Sequence, residues 1–377
     1  MNVLVTGGAG FIGSHLVDEL VARAHAVTVL DNLDPQVHGA AAKTPRHLVS
    51  HIENGTVRFH LGDVTDPEAL KASLEGVEAV VHLAAVVGVG QSMYKPYYYV
   101  HTNATGTGLL LDLLARNPKP IRKLVVASSM SLYGEGAYRC PACGGNTGEE
   151  RSEEQLAASR WEIVCTGCRS DMEPVGTPET KVPVIASIYA ATKKHQEDLF
   201  VSFGRAYRIP TFALRFFNVF GRRQSLGNPY TGVAAIFLSR LLNGRPPLIF
   251  EDGGQSRDFI DVRDVTAALV KATEFQGNGT HVLNVGTGRR TSVAGVAQAL
   301  SSHLGLDLKP QILGKYRAGD IRHCVADTAE ARRVLGFQAR YALDEGIPDL
   351  ITWCRNEQPA DGVEASFAEL TKKGLVR

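Results

Sequence analysis

The chain has 377 residues with a formal net charge of +1, and 44% of its residues are hydrophobic and 21% charged. This length predicts one large domain or two coupled domains, and the composition is typical of a soluble globular protein. The small net charge argues against a general attraction to nucleic acid or to membrane surfaces. No apolar run approaches the roughly 20 residues that span a bilayer.

The six cysteines bear on the redox compartment of the protein and on metal binding. The opening residues Met1–Val5 already have the pattern of a β-strand, so we expect no signal peptide. Without such a signal, cysteines are expected to be thiols or metal ligands of a cytoplasmic protein rather than disulfides. Cys324 and Cys354 stand alone in the sequence, and we interpret them as packing residues.

Apolar strand-like runs alternate with helical patterns through most of the chain, beginning with NVLVTG and AVTVLDN. This alternation predicts a Rossmann-type α/β fold, with a doubly wound parallel sheet covered by helices on both faces. In chain order we predict the first part of this domain at 1–135, an inserted module at 136–183 and the second part of the domain at 184–217. A smaller C-terminal substrate domain follows at 218–377, with 256–288 returning to the Rossmann domain.

The predicted insertion carries two CxxC pairs, Cys140 with Cys143 and Cys165 with Cys168, separated by 21 residues. Two such pairs at this spacing predict a tetrahedral, ribbon-like zinc site, although iron accepts the same four thiolates. Residues 138–170 hold four arginines against five glutamates, which is not a basic nucleic-acid footprint. The module is either a structural staple or a wall beside the active site, and the sequence leaves both open.

A glycine-rich turn follows the first strand, with Gly7, Gly10 and Gly13 spaced as GxxGxxG before a helical pattern. The glycines permit a tight turn, and the free N–H groups of the helix N-terminus favour a pyrophosphate. Asp31 ends the second strand. A carboxylate there accepts hydrogen bonds from ribose hydroxyls and repels a 2′-phosphate, so NAD is favoured over NADP.

A YxxxK pattern joins Tyr189 and Lys193, which lie on one face of a predicted helix. A nearby ammonium is expected to lower the pKa of the phenol, giving a base that is usable near neutral pH. Ser128, Ser129 and Ser131 follow the fifth predicted strand, at the sheet edge where such folds bind ligands. A serine hydroxyl there can donate to a developing oxyanion.

Together these motifs resemble the extended short-chain dehydrogenase/reductases, and among them the nucleotide-sugar epimerase/dehydratase family. The resemblance spans nearly the whole chain in family order. Its motifs are TGGAGFIG, LDN, GDV, VVHLAA, Asn103, SSMSLYG, YAATK, LRFFNVFG, RDFIDVRDV, NVGTG and RAGDIRHCVAD. The chain is also similar throughout to a cysteine-containing subgroup, including the stretches VVGVGQSMY and NPYTGVAAIF.

The resemblance implies site residues by position. The implied catalytic residues are Ser129, Tyr189 and Lys193. The implied NAD contacts are Gly7, Gly10, Phe11, Ile12, Gly13, Asp31, Asn32, Asp63, Val64, Leu83, Ala84, Ala85, Asn103, Tyr189, Lys193 and Phe217. The implied substrate contacts are Ser129, Asn218, Phe250, Arg257 and Arg317. A homodimer is also implied, through the helices around 103–117 and 187–207.

The implied activity is NAD-dependent 4-epimerisation of a nucleotide-diphosphate sugar through a transient 4-keto intermediate. The family's dehydratases carry an Asp-Glu pair where this chain has Met130 and Ser131, so elimination of water is disfavoured. The subgroup implies a dTDP-6-deoxyhexose such as dTDP-L-rhamnose as substrate. The alternatives are a UDP-hexose 4-epimerase, a nucleotide-sugar dehydrogenase or reductase, and a non-catalytic NAD sensor or zinc-ribbon binding protein.

Overall fold

The computed structural model describes residues 1–39, 42–117, 119, 121–148, 150–226, 232–317, 319–357 and 363–376. Residues 228–231, which contribute to one motif of the resemblance, lie outside this range.

The strands in chain order are β1 (Asn2–Thr6), β2 (Ala26–Asp31), β3 (Val57–Leu61), β4 (Ala79–His82), β5 (Lys123–Ser129), β6 (Ala137–Arg139), β7 (Glu173–Thr177), β8 (Thr211–Phe216), β9 (Asn218–Phe220), β10 (Leu248–Ile249), β11 (Ser256–Arg257), β12 (Phe259–Asp261), β13 (Thr280–Val285), β14 (Thr291–Ser292), β15 (Gln311–Ile312) and β16 (His323–Ala326).

The α-helices are α1 (Phe11–Ala22), α2 (Pro35–His38), α3 (Val49–Glu53), α4 (Pro67–Ser73), α5 (Val89–Ser92), α6 (Pro96–Tyr99), α7 (Gly106–Ala115), α8 (Glu153–Ala157), α9 (Ile188–Tyr207), α10 (Val233–Leu242), α11 (Val262–Glu274), α12 (Val293–Leu304), α13 (Ala329–Leu335), α14 (Leu343–Arg355) and α15 (Val363–Lys372). A π-helical segment, Val100–Thr105, precedes α7, and a 3₁₀ turn, Met130–Tyr133, follows β5. Across the described residues, no helix has the length and apolarity to cross a membrane.

The central sheet has seven strands in the order β13-β8-β5-β4-β1-β2-β3, and every pairing is parallel. Its middle strands are continuous apolar runs because both faces of a parallel sheet are covered. The direction of winding reverses between β1 and β4. In such sheets the crevice at the carboxyl ends of the strands beside this reversal is where ligands bind.

The two faces of the sheet have separate apolar cores. Val3 and Val5 pack into one core with α1 and α11, whereas Leu4 between them packs into the other with α4, α7 and α9. This alternation follows from the two-residue period of a strand. The predicted doubly wound Rossmann-type fold is therefore confirmed.

The inserted module is not an isolated loop. Its strands β6 and β7 continue a five-stranded sheet in the order β14-β11-β16-β7-β6, in which β7 runs parallel to β16. A third apolar core, formed mainly by α10, α12 and α14, lies in the C-terminal part of the chain. The module therefore shares a sheet with the segments that carry the predicted substrate residues. The domain bounds given above stay a prediction.

Candidate functional site

A cavity of about 460 Å³ opens at the carboxyl ends of the central strands. Most of the predicted cofactor contacts line it, namely Gly7, Gly10, Phe11, Ile12, Gly13, Asp31, Asn32, Val64, Leu83, Ala84, Ala85, Tyr189, Lys193 and Phe217. Asp63 and Asn103 are not part of this lining. Asp63 accepts a hydrogen bond of 2.7 Å from Asn32 Nδ2, and Asn103 Oδ1 accepts one of 2.8 Å from the Val86 amide. Both therefore hold lining residues in place.

The turn between β1 and α1 brings backbone atoms into close contact. Gly7 has φ +71°, and a Cβ on Gly13 would lie 2.2 Å from the carbonyl oxygen of Gly7. Gly10 begins α1 and has no side chain with which to cap it. The first N–H groups of the helix therefore remain available to an anion, as a pyrophosphate site requires.

Asp31 fixes this turn from the end of β2. Its Oδ2 accepts from the Ala9 amide at 3.0 Å and its Oδ1 from the Leu33 amide at 2.9 Å. Burial raises the pKa of Asp31, against the hydrogen bond from Leu33, the charge of His38 and the hydrogen bond from Ala9, all of which lower it. A carboxylate has about four acceptor positions, so the group retains acceptor capacity for ribose hydroxyls.

The three predicted catalytic residues line the same cavity, although 60 positions separate Ser129 from Tyr189. Ser129 ends β5, and Tyr189 lies in the first turn of α9, which Ser187 caps through a 3.1 Å bond from the Ala190 amide. The Ser129 hydroxyl lies close enough to Tyr189 to lower the pKa of the phenol. The fold therefore brings together the two hydroxyl groups that the sequence predicts to act on one substrate.

The protonation of Tyr189 depends on its buried surroundings. Burial raises the pKa of Tyr189, and the nearby Ser129 hydroxyl opposes that change. The lowering expected from the charge of Lys193 stays a prediction, and Lys193 Nζ donates to Gln196 Oε1 at 2.6 Å. Burial lowers the pKa of Lys193 to about 7, while the charge of Glu197 opposes that change.

A buried polar chain behind Lys193 escaped the sequence analysis. Gln196 Nε2 donates to Thr107 Oγ1 at 2.9 Å and lies 3.1 Å from His82 Nε2, while His82 Nδ1 lies 2.7 Å from Thr6 Oγ1. This chain connects Lys193 on α9 with β1 and β4 beside the glycine turn. The available signal was the position of Gln196 three residues after Lys193, on the same helix face.

The predicted substrate residues fall into two places. Asn218 lines the cavity, and its buried Oδ1 has no hydrogen-bond partner among the residues that the structure describes. Phe250, Arg257 and Arg317 do not line the cavity and form a separate cluster. The guanidinium of Arg317 lies 4.7 Å from the ring centroid of Phe250.

Asp320 joins the two arginines of this cluster. Its Oδ2 accepts from Arg317 Nη2 at 2.9 Å, and its Oδ1 lies 3.8 Å from Arg257 Nη2. Burial opposes ionisation of Asp320, but the charges of Arg317, Arg257 and Arg151 together lower its pKa. The cluster therefore holds two cations on one ionised carboxylate.

The C-terminal helix α15 covers this cluster, which no sequence pattern had indicated. Phe367 lies 5.9 Å from Phe250, centroid to centroid, and Lys315 Nζ lies 5.6 Å from the Phe367 ring. On its other side, Leu370 would lie 3.3 Å from a Cβ on Gly90, which is near the cavity wall. The helix thus lies between the Rossmann side and the cluster around Phe250.

The four cysteines come together as predicted. Their sulfurs all lie within 4.8 Å of one another, with Cys140–Cys168 at 3.4 Å and Cys143–Cys165 at 3.6 Å. A tetrahedral zinc site with Zn–S bonds of about 2.3 Å has sulfur–sulfur edges of about 3.8 Å. The backbone amides of Gly145 and Gly167 also donate to cysteine sulfurs. The donor set and its spacing fit a tetrahedral metal.

The fold and the Ser–Tyr–Lys arrangement at a dinucleotide cavity define a short-chain dehydrogenase/reductase of the extended type. The sequence profile of the NAD dependent epimerase/dehydratase family matches residues 3–159 and 170–286. The chain belongs to this family and is an enzyme of the epimerase class. The unmatched residues 160–169 include the second cysteine pair.

Individual relatives cover nearly the full length. The chain is 35% identical over 359 residues to a dTDP-L-rhamnose 4-epimerase from Burkholderia thailandensis, covering 94% of this chain and 95% of that one. It resembles the UDP-glucose 4-epimerase of Thermotoga maritima solved with UDP-glucose, with TM-score 0.75, 30% identity, and 95% and 99% coverage. It also resembles the UDP-glucuronic acid 4-epimerase of Bacillus cereus solved with UDP-glucuronic acid and NAD, with TM-score 0.78, 26% identity, and 95% and 100% coverage.

Proposed function

We propose that the protein is an NAD-dependent nucleotide-sugar 4-epimerase that acts through a transient 4-keto sugar. The observation that carries this proposal is that Ser129, Tyr189 and Lys193 line one cavity together with the glycine turn at residues 7–13. The hydroxyls of Tyr189 and Ser129 can together take the proton of one sugar hydroxyl and stabilise the oxygen that remains. Met130 and Ser131 supply no carboxyl group to assist loss of water.

In this proposal the turn at residues 7–13 holds the pyrophosphate of NAD, and Asp31 accepts from its ribose. Bound NAD supplies the acceptor and donor of hydride at C4. Tyr189 Oη acts as the phenolate, having first given up its own proton; it takes the proton of the sugar O4 hydroxyl and later returns it, while Ser129 Oγ donates to O4. Lys193, with a pKa of about 7, can exchange a proton near neutral pH.

For the substrate we propose a dTDP-6-deoxyhexose, with dTDP-L-rhamnose as the first choice. Val86, Val87 and Met130 are among the apolar residues that line the cavity, and an apolar lining suits a methyl group at C6. Among the described lining residues, Lys193 is the single Lys or Arg, so a hexuronate carboxylate would have no second cation there. The identity to the Burkholderia relative supports the same choice, and a UDP-hexose is the alternative.

We propose that the nucleotide end of the substrate binds at the cluster around Phe250. The ring of Phe250 offers a stacking surface for the base, and Arg257 and Arg317 offer donors for the diphosphate. The Oδ1 of Asn218, which has no partner among the described residues and belongs to the cavity lining, would accept from the substrate. In this proposal the hexose would lie near Tyr189.

We propose that the four cysteines hold one structural Zn²⁺, with iron as the alternative. Four thiolates complete a tetrahedral ion, so the metal has no open position for substrate chemistry. Elemental analysis of protein purified without added metal should give about one zinc per chain. Visible thiolate-to-iron absorption with an equal iron content would instead identify iron, and neither metal bound would reject the site.

We further propose that the enzyme is a homodimer through α7 and α9. The apolar side chains of Leu109, Leu113, Leu199 and Phe203 on these helices are only partly buried, and Tyr97 just before them is 77% exposed. A second copy of the helix pair would cover these side chains. Sedimentation at micromolar concentration should therefore give a dimer, and a species of 40.6 kDa would contradict it.

The central experiment incubates the protein with dTDP-, UDP-, GDP- and CDP-hexoses and resolves C4 epimers chromatographically. We expect epimerisation to be fastest with the dTDP-6-deoxyhexose and to proceed without net change in NADH absorbance. Stoichiometric NADH formation would identify a dehydrogenase instead. A preference for UDP-hexoses would overturn the substrate assignment but not the reaction.

A further inference from the structure

One arginine of the inserted module extends into the cluster that holds Arg257 and Arg317. Arg151 lies in the sequence between the two cysteine pairs, and its side chain is only 5% exposed. Its Nη1 donates to Glu251 Oε1 at 2.8 Å, and its Nη2 donates to the carbonyl oxygen of Asp320 at 2.8 Å. The guanidinium therefore contacts two separate segments of the substrate region at once.

The contact with Asp320 fixes the backbone of the residue whose carboxylate binds both arginines. Arg317 donates to that carboxylate through Nε at 3.1 Å and Nη2 at 2.9 Å, and Arg257 approaches it at 3.8 Å. A shift of this backbone would move the carboxylate and with it the Arg317 guanidinium, whereas Arg257 also donates to the carbonyl oxygens of Ser256 and Arg322. The orientation of Arg317 thus depends on a residue that is distant in sequence.

The contact with Glu251 fixes the neighbouring turn. Glu251 follows Phe250, has φ +52°, and is 2% exposed. A non-glycine residue in this conformation is strained and persists because its surroundings hold it. Arg151 and Arg322 both bind its carboxylate, and its amide donates to the Lys315 carbonyl at 2.7 Å. Loss of Arg151 would leave this buried charge with one cation fewer.

A second ionic contact joins the module to the same region. Glu162, also between the cysteine pairs, accepts from Arg322 Nε at 2.9 Å and lies 3.0 Å from His323 Nε2. Both contacts therefore originate in the segment whose ends are the two cysteine pairs. A metal bound by those four cysteines would hold the two ends of this segment together.

We propose that Arg151 is a positioning residue that orients Arg317, through Asp320, for the substrate diphosphate, and that the four-cysteine module acts on substrate binding through it. This inference rests on the proposed binding of the diphosphate at Arg257 and Arg317. The module then does more than stabilise a long insertion. Its contribution is to substrate affinity and not to the chemical step, since Arg151 is not part of the cavity that Ser129, Tyr189 and Lys193 line.

The test compares Arg151→Gln with Arg160→Gln, a matched change at an arginine of the same module that is 63% exposed. Affinity for dTDP alone is measured by calorimetry, together with KM, kcat, bound NAD, bound metal and melting temperature. Arg151→Gln should weaken dTDP binding and raise KM about tenfold, the usual size for a lost hydrogen bond to a charged group. Its kcat, NAD and metal contents should stay near wild type, and Arg151→Lys should restore part of the affinity.

The inference is overturned if Arg151→Gln folds, keeps its metal and binds dTDP like Arg160→Gln. Arg317→Ala separates this outcome from failure of the proposed function, because unchanged dTDP binding in that variant would mean that the diphosphate lies elsewhere. In the Arg317→Ala background, Arg151→Gln should cause little further loss, and full additivity would argue against positioning. If Arg151→Gln fails to fold, Glu251→Gln tests the same connection, and wild-type dTDP affinity in that variant would overturn the inference.

Discussion

The cofactor end and the nucleotide end of the molecule are built in different ways. The cofactor end consists of strand ends and a glycine turn, and its backbone atoms approach too closely for side chains at Gly7 and Gly13. The nucleotide end is held by buried ion pairs among segments that are far apart in sequence, such as Arg151 with Glu251. Close packing of the backbone in the glycine turn depends on residues that are neighbours in sequence. Buried ion pairs depend on distant residues, and loss of one partner destabilises the site because the other charge is left buried and unpaired.

This contrast predicts that binding at the two ends can be lost independently. A change in the glycine turn should weaken NAD binding more than nucleotide binding, and a change in the inserted module should weaken nucleotide binding more than NAD binding. In the proposed function catalysis requires both ends, since the sugar would lie between them. The variants below test this independence.

The largest effect is expected from Tyr189→Phe, which removes the proposed base and leaves the ring. Loss of a general acid–base group lowers rate by about 10²- to 10⁴-fold, so kcat should fall by that factor while NAD and dTDP remain bound. Tyr207→Phe, at an exposed tyrosine of the same helix, serves as the control. Near-normal epimerisation by Tyr189→Phe would reject the assignment of the base.

Gly13→Ala should weaken NAD binding by roughly 10- to 100-fold, since overpacking costs about 1–3 kcal/mol. Its Cβ would lie 2.2 Å from the Gly7 carbonyl oxygen, so the pyrophosphate turn must move. Gly108→Ala is the control because a Cβ there meets nothing within 4 Å. Fluorescence titration with NAD measures the change, and unchanged dTDP affinity is expected in both variants.

Metal removal should affect the opposite end. Cys143→Ser, or chelation of the wild type, should lower the melting temperature and raise KM about tenfold, by the loss of the Arg151 contacts. Bound NAD and kcat should change little at temperatures where the protein is folded. Restored KM on adding zinc to the chelated protein is the control. An unchanged KM in folded, metal-free protein would mean that the module only stabilises the fold and does not act on substrate binding.

Phe367→Ala should weaken dTDP binding by about 2- to 10-fold, the range for an aromatic contact of 0.5–1.5 kcal/mol. The ring lies beside Phe250 on the helix that covers the cluster. Glu369→Gln, at an exposed position of the same helix, controls for general effects on the C-terminal segment. If both variants bind dTDP equally well, α15 takes no part in recognising the nucleotide.

The smallest effect concerns pH. Burial and then the charge of Lys193 lower the pKa of His82 to about 3 from its ordinary 6.5. Below pH 6.5, therefore, His82 is protonated in the unfolded chain but stays neutral in the folded protein. The free energy of unfolding should fall with decreasing pH in this window, by at most about 1.4 kcal/mol per unit for one group.

The ion pairs at the nucleotide end should persist to lower pH. Burial opposes ionisation of Glu162, but hydrogen bonds from His323 and Arg322 lower its pKa to about 2 from 4.5. Its contribution to the free energy of unfolding therefore declines only below pH 4.5.

The test of the acid response is denaturant unfolding of His82→Gln between pH 7 and 5. The free energy of unfolding should change less steeply with pH in this variant than in the wild type. Equal slopes would mean that His82 does not set the acid response.

The sequence predicted the features that have a local signature. The glycine turn, Asp31 at the end of β2, Tyr189 with Lys193 on one helix face, and the four cysteines each depend on spacing within a few residues, and the structure brings each group together. Asp63 and Asn103, which the resemblance implies as NAD contacts, do not line the cavity but hydrogen-bond to Asn32 and Val86, which do. Position in a motif does not distinguish a contact from its support.

The fold class and the cofactor cavity were thus determined by the sequence itself, since a strand, a turn and a helix follow from periodicity and from glycines that admit close backbone contact. Only the tertiary structure decided that Arg151 and Glu162 contact Glu251 and Arg322, that Phe367 covers Phe250, and that β7 joins the sheet of β16. Arg151 and Glu251 are 100 residues apart, Glu162 and Arg322 are 160 apart, and the other two contacts join different elements. Ion pairs and ring contacts at such separations depend on how elements pack, and neither partner carries a pattern that names the other.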